Sequence, residues 1–279
     1  MKIGLLHPGT MGVSVGASAL NGGHKVLWVS EGRSPASVAR ASEHGLTDVG
    51  CVAEVVSQSE IILSICPPDA AVAVSDAVKD AGFKGIYVDC NAISPMRMQH
   101  IAEHLEAGGA RVVDGGIIGN PAWVAHKTFL YLAGGEAEKV AACFEAGPLV
   151  TRVMAGRKVG DASALKMCYA AYTKGTTAIL CALLASAEAL GVRDEVNEHW
   201  NIDQAGRAAD REAIVSGVTK KAWRWSGEMQ EIAATFASVG LPDGFHKAAA
   251  TLYQRLEGLK DGPHPTPVED VLAALRGKG

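Results

Sequence analysis

The chain has 279 residues, 48% of them hydrophobic and 20% charged, which is enough apolar material to bury a sizeable core without staples. Its formal net charge of −4 leaves no basic field for a polyanion and argues against nucleic acid as a partner. The opening MKIGLLHPG runs straight into a glycine turn without a leader-like apolar region, and no apolar run approaches the roughly 20 residues that cross a bilayer. The expectation is a cytoplasmic chain with no membrane partner.

From residue 1 to about 154, short runs rich in Val, Ile and Leu alternate with helical patterns, the signature of βαβ units and a parallel sheet. The predicted strands are 2–7, 24–29, 61–65, 86–89, 111–114, 128–133 and 151–154. Ser34-Pro35 and Ser94-Pro95 each pair an N-cap residue with proline at the first helical position, so helices are predicted to start there. After Gly160 the pattern changes. Residues 162–190 form an Ala/Leu-rich stretch without proline, closed by Gly191, and read as one long helix. Further helices are predicted near 195–200, 204–218, 226–238, 245–259 and 268–276. The expected fold class is α/β: a doubly wound Rossmann domain over 1–158, then an all-helical substrate and dimerisation domain over 159–279.

The cysteines, Cys51, Cys66, Cys90, Cys143, Cys168 and Cys181, lie singly among apolar residues with no C-x-x-C or Cys/His spacing, so no metal site is expected. They read as small buried hydrophobes in a reducing compartment. Cys90, beside Asn91 in a predicted loop, is the one position where a redox thiol is conceivable.

The first strand leads into Pro8-Gly9-Thr10-Met11-Gly12, then a helix, then the second strand, the spacing of a dinucleotide-binding unit. Gly9 and Gly12 can let the backbone approach a pyrophosphate at a helix N-terminus. His7 occupies the place of the first glycine and reads as a turn residue near the cofactor. Cofactor choice is decided at the end of the second strand, which continues Ser30-Glu31-Gly32-Arg33-Ser34. Ser30 does not repel a 2′-phosphate, and Arg33 with Ser34 at a helix start can grip one. Glu31 points the other way. NADP is therefore preferred and NAD remains open, the bland alternative being that Arg33 is simply solvated.

These residues resemble the β-hydroxyacid dehydrogenase family, which includes 3-hydroxyisobutyrate and 6-phosphogluconate dehydrogenases. Met11-Gly12 matches its glycine turn, Ile61 to Pro68 its strand and proline loop, and Asp89-Cys90-Asn91-Ala92-Ile93-Ser94-Pro95 its D-x-S-T-x-S-P segment. Asp114 to Asn120 aligns with its substrate loop, and Lys166 with its catalytic lysine. The resemblance implies that Cys66 and Pro67 line the cofactor and that Gly119 and Asn120 hold a substrate carboxylate. It further implies that Asn91 hydrogen-bonds the substrate and that Lys166 is the acid and base. Ile118 and Ala170 replace the family's serine and asparagine, marking a divergent subgroup with an atypical helical domain.

On the long helix, Lys166, Tyr169, Ala170, Thr173, Lys174 and Thr177 fall on one stripe. It reads either as an exposed polar side or, with the resemblance, as the lining of a cleft in which Tyr169 and Lys174 add polar contacts. Lysine can deliver or take the proton that accompanies hydride transfer. The expected function is NADP-dependent oxidoreduction of a small β-hydroxyacid or its aldehyde or keto partner. An imine reductase and a non-catalytic dinucleotide-binding protein are the alternatives. Lys220, Lys221, Arg224 and His246 receive no role. A homodimer is expected, because a long apolar helix has more surface than a small helical domain can cover.

Overall fold

The computed structural model describes residues 1–277, which divide into two compact units, Met1–Met167 and the chain from Cys168 onward. The first unit carries one eight-stranded sheet: β1 (Lys2–Leu5), β2 (Lys25–Trp28), β3 (Thr47–Asp48), β4 (Ile61–Ser64), β5 (Ile86–Asp89), β6 (Arg111–Ile118), β7 (Thr128–Ala133) and β8 (Leu149–Val153). Its helices are α1 (Thr10–Asn21), α2 (Pro35–Glu43), α3 (Val52–Gln58), α4 (Ala71–Asp80), α5 (Pro95–Ala107) and α6 (Ala137–Ala141). The strand order is β3-β2-β1-β4-β5-β6-β7-β8, parallel from β3 through β6. The direction of winding reverses between β1 and β4, and a doubly wound sheet opens a binding crevice beyond the carboxyl ends of its strands at that point.

Sequence explains these elements. β4 (IILS) and β5 (IYVD) are buried at every position, as strands covered by helices on both faces must be. Their side chains sort by alternation: Ile61, Leu63, Ile86 and Val88 join Ile3, Val26 and Trp28 in one core, and Ile62 and Tyr87 join Leu27 and Val112 in the other. Ser34 and Ser94 cap α2 and α5, accepting from Ser37 N and Arg97 N.

The sheet departs from expectation in three places. β7 runs antiparallel to β6, so the sheet is mixed at that edge. β3, at two residues, is too short to leave a pattern in the sequence. The strand expected to stop at residue 114 continues to Ile118, so Gly115 to Ile118 belong to a strand and only Gly119 and Asn120 lie beyond it. The glycines there answer to packing. A Cβ at Gly115 would lie 2.7 Å from Cys90 Sγ, and one at Gly116 would lie 2.7 Å from the Ala162 carbonyl oxygen.

The long helix is α7 (Asp161–Leu190), and the division between units falls inside it. The second unit continues with α8 (Arg193–Asp203), α9 (Arg207–Gly217), α10 (Thr219–Ser238), α11 (Gly244–Arg255) and α12 (Val268–Arg276). α10 starts seven residues before the expected 226, because Thr219 and Ala222 extend the buried face formed by Met229, Ile232 and Ala233. Charged residues interleaved with Trp223 and Trp225 mask that period in the sequence. α10 packs against α11, with Trp225 edge-on to Tyr253 at 5.3 Å.

Candidate active site

The glycine turn comes first. After β1 the chain passes through His7 and Pro8 to Gly9, which precedes α1 and offers no side-chain cap to its first turn. Those amide groups are therefore positioned for an anion. A Cβ at Gly12 would stand 2.1 Å from the His7 carbonyl oxygen, so only glycine lets α1 sit this close to the turn. At Gly9 a Cβ would meet nothing within 4 Å, which leaves an opening over the helix end that suits a pyrophosphate. Pro8 is buried, Met11 half-buried and Thr10 exposed. Gly12→Ala is expected to destabilise the chain by about 1–3 kcal/mol in urea unfolding, since the obstructing atom is backbone and cannot rotate away.

The loop after β2 lies beside this turn. Arg33 is half-buried and its Nε has no hydrogen-bond partner; the same holds for His7 Nδ1. Burial, then the Arg33 charge, pushes the His7 imidazole down to about 4. Arg40 of α2 donates from Nη1 to the Pro8 carbonyl oxygen at 2.9 Å, bringing a second guanidinium to the glycine turn. Ser30 accepts from Arg33 N through its carbonyl at 3.0 Å, Ser34 caps α2, and Glu31 is exposed. After β4, burial pushes the Cys66 thiol up to about 12, while Pro67 is exposed.

Two carboxylates stand in register on neighbouring strands, Asp89 at the end of β5 and Asp114 midway along β6, both fully buried. Asp89 accepts from Asn91 N at 2.9 Å and from Asn91 Nδ2 at 3.0 Å, and burial pushes its carboxyl up to about 7. Asn91 Nδ2 also donates to Ser64 Oγ at 3.1 Å, and Asn91 Oδ1 accepts from Cys66 N at 2.6 Å. Both N–H groups of that amide are thus spent inside the protein. Asp114 accepts from Gly160 N and Ser163 N, each at 2.9 Å, and from Ser163 Oγ at 2.7 Å. It caps the first turn of α7 from a neighbouring strand, the service an N-cap side chain ordinarily gives from within the helix.

Lys166 follows on that helix, part-buried, and its Nζ donates to the Ile117 carbonyl oxygen at 2.6 Å. Ile117 lies near the carboxyl end of β6, and the glycine turn follows the carboxyl end of β1, so both occupy the same edge of the parallel sheet. Beyond β6, Gly119 has φ +130° and a Cβ there would lie 2.6 Å from the Lys127 carbonyl oxygen. Asn120 is exposed and its carbonyl accepts from Thr128 Oγ1 at 2.5 Å.

Within the helical unit, Tyr169 is 49% exposed. Lys174 is paired with Glu228, lies 5.7 Å from the Trp225 ring centre, and gives its carbonyl to Tyr253 Oη at 2.6 Å. Its charge is already balanced. His246 is buried against Phe236 and Phe245, and Lys220, Lys221 and Arg224 are exposed. Cys90 is buried and its thiol pushed up by burial, which leaves it without thiolate character, whereas Cys168 is exposed rather than buried.

The profile described as the NAD binding domain of 6-phosphogluconate dehydrogenase matches residues 2–155, more than half of the chain. The chain belongs to this family. A second profile, a domain of unknown function (DUF1932), matches residues 187–256 and so marks the helical unit of this family member as the divergent part. An uncharacterized 28.5 kDa protein of Methanothermus fervidus is 33% identical over 170 residues, 60% of this chain and 64% of that one. The mitochondrial 3-hydroxyisobutyrate dehydrogenase of Drosophila melanogaster is 26% identical over 201 residues, 70% of this chain and 57% of that one. The chain thus spans under two thirds of the length of either curated relative. The structure of Mycobacterium tuberculosis 3-hydroxyisobutyrate dehydrogenase with L-serine superposes with a TM-score of 0.70 at 17% identity over 99% of each chain, a likeness of fold.

Nothing local in the sequence marks Arg40, Ser163 or the capping role of Asp114. Arg40 is one exposed-looking cation on an amphipathic helix. Asp114 and Ser163 lie 49 residues apart, and no local pattern joins them.

Proposed function

We propose that this chain is an NADP-preferring oxidoreductase acting on a small β-hydroxyacid or its carbonyl partner, with Lys166 as the acid and base. The observation that carries this reading is the Lys166 ammonium, bound to the Ile117 carbonyl on the sheet edge that also holds the glycine turn. When bound, the nicotinamide supplies or accepts the hydride. In the reducing direction Lys166 donates its proton to the oxygen that becomes the hydroxyl; in the oxidising direction neutral Lys166 takes that proton. Asp114 and Ser163 fix the turn of α7 that presents it.

Asn91 works as a positioning residue in this scheme, tying the loop after β5 to Cys66 on the loop after β4. Gly119 and Asn120, beyond β6, are the proposed seat of the substrate carboxylate. The substrate class is supported by the 3-hydroxyisobutyrate dehydrogenases among the relatives.

The preference for NADP is supported by two arginines at the glycine turn, Arg33 with an unpartnered buried Nε and Arg40 on the Pro8 carbonyl. Arg33→Ser is expected to weaken NADPH binding by roughly 10-fold or more, the worth of one hydrogen bond to a charged group, and to leave NADH binding nearly unchanged. A fluorescence titration with both nucleotides checks this. Equal losses for the two would assign Arg33 to the turn instead of the 2′-phosphate.

A further inference from the structure

His7 stands where the glycine turn has its first glycine, and the cost of a side chain there asks for an explanation. Its backbone is fixed by the approach of Gly12, a Cβ on which would meet the His7 carbonyl oxygen at 2.1 Å. Its ring is half-buried with Nδ1 out of contact with water and without a partner. The neighbouring Arg33 has the same deficiency at Nε. Arg33 can only donate, and its positive charge opposes protonation of the ring, so the pair is incomplete as it stands. Two buried polar groups left without partners, both donors in their charged forms, suit an anion beside them. The turn they flank ends in the uncapped first turn of α1, which favours negative charge at the same place.

We propose that His7 is a cofactor-binding residue which takes up a proton when the dinucleotide binds, its Nδ1 and Arg33 Nε together donating to a phosphate ester of that dinucleotide. The inference rests on the dinucleotide-binding reading above. The charged groups around the ring are Arg33, from the loop after β2, and Arg40 of α2, bound to the carbonyl of the adjoining Pro8. Cys66, on the loop after β4, faces Arg33 with a thiol pushed up to about 12, so it brings no counter-charge. In the free protein burial and Arg33 hold the imidazole at about 4, hence neutral at neutral pH. A phosphate dianion reverses that balance, because opposite charge favours the protonated ring. The proton comes from solvent, and the nucleotide's charge is met by a cation that the free site does not carry. Affinity is then highest on the acid side and falls as pH rises through the value the ring acquires in the complex.

The test is calorimetric titration of the full chain with NADPH and with NADH at about pH 7, in two buffers of different ionisation enthalpy, which counts protons taken up on binding. His7→Asn places a neutral amide donor near the position of Nδ1, and His7→Gly restores the ordinary turn residue, so one of the two is expected to fold if the other does not. The unaltered chain should take up more protons than either variant, the difference cancelling the titration of the nucleotide's own phosphates. An excess with NADPH alone assigns the contact to the 2′-phosphate, and an excess with both nucleotides assigns it to the pyrophosphate. His7→Gly should also bind several-fold more weakly on the acid side. Binding with equal proton uptake by the unaltered chain and the variants overturns the role of His7 and leaves the dinucleotide reading intact. Failure of the unaltered chain to bind either nucleotide overturns both.

Discussion

Lys166→Met is expected to lower turnover by roughly 10²–10⁴-fold, the usual contribution of a positioned acid or base. Methionine keeps the length and the apolar stem, so the packing of α7 on Gly116 survives; a Cβ at that glycine would lie 3.5 Å from Lys166 Cβ. The ammonium and its bond to the Ile117 carbonyl are lost, at about 1.5–3 kcal/mol of stability for a hydrogen bond from a charged group. Nucleotide affinity should hold, because the glycine turn and Arg33 are untouched. Side by side, rates and nucleotide titrations separate a chemical loss from a structural one. Near-normal turnover in the variant would remove Lys166 from the chemistry.

Asp114→Ala is expected to be strongly destabilising to the fold of the first unit. The aspartate is fully buried and accepts from Gly160 N, Ser163 N and Ser163 Oγ. Alanine strands three donors, and at the low end of about 1 kcal/mol for each the loss is about 3 kcal/mol in urea unfolding. Ser163→Ala removes only the hydroxyl contact and should cost about 1 kcal/mol by the same reasoning. The ratio between the two is informative. Equal small effects would mean that water replaces the carboxylate and that the start of α7 is held by other contacts. Because Lys166 lies one turn beyond Ser163, Asp114→Ala should also depress turnover at temperatures where the chain remains folded.

How much of this was legible in the sequence depends on how far apart the interacting residues lie. The glycine turn, the strands on either side of it and the two Ser-Pro helix starts are local patterns, and each forms where the spacing put it. Gly115-Gly116 misled for a physical reason. Two adjacent glycines signal a loop when read locally, yet here they let Cys90 and the Ala162 carbonyl approach a strand. The stripe on α7 was correctly helical, but what its members touch was hidden: Lys174 meets Glu228, 54 residues away. Asn91 shows the same limit. Its position at the end of β5 followed from the sequence, while the engagement of its amide by Asp89, Ser64 and Cys66 could come only from the fold. The helical unit gave least, since buried faces there, as on α10, are interrupted by exposed Lys220, Lys221 and Arg224.

The most direct test of the central claim is a titration of the unaltered chain with NADPH and NADH, followed by a spectrophotometric screen of small hydroxyacids and their carbonyl partners with the tighter nucleotide. Tighter binding of NADPH and turnover of a small β-hydroxyacid or its partner is the predicted result. Tight nucleotide binding with no turnover across the screen would leave a dinucleotide-binding protein without this chemistry, and no binding of either nucleotide would contradict the account at its foundation.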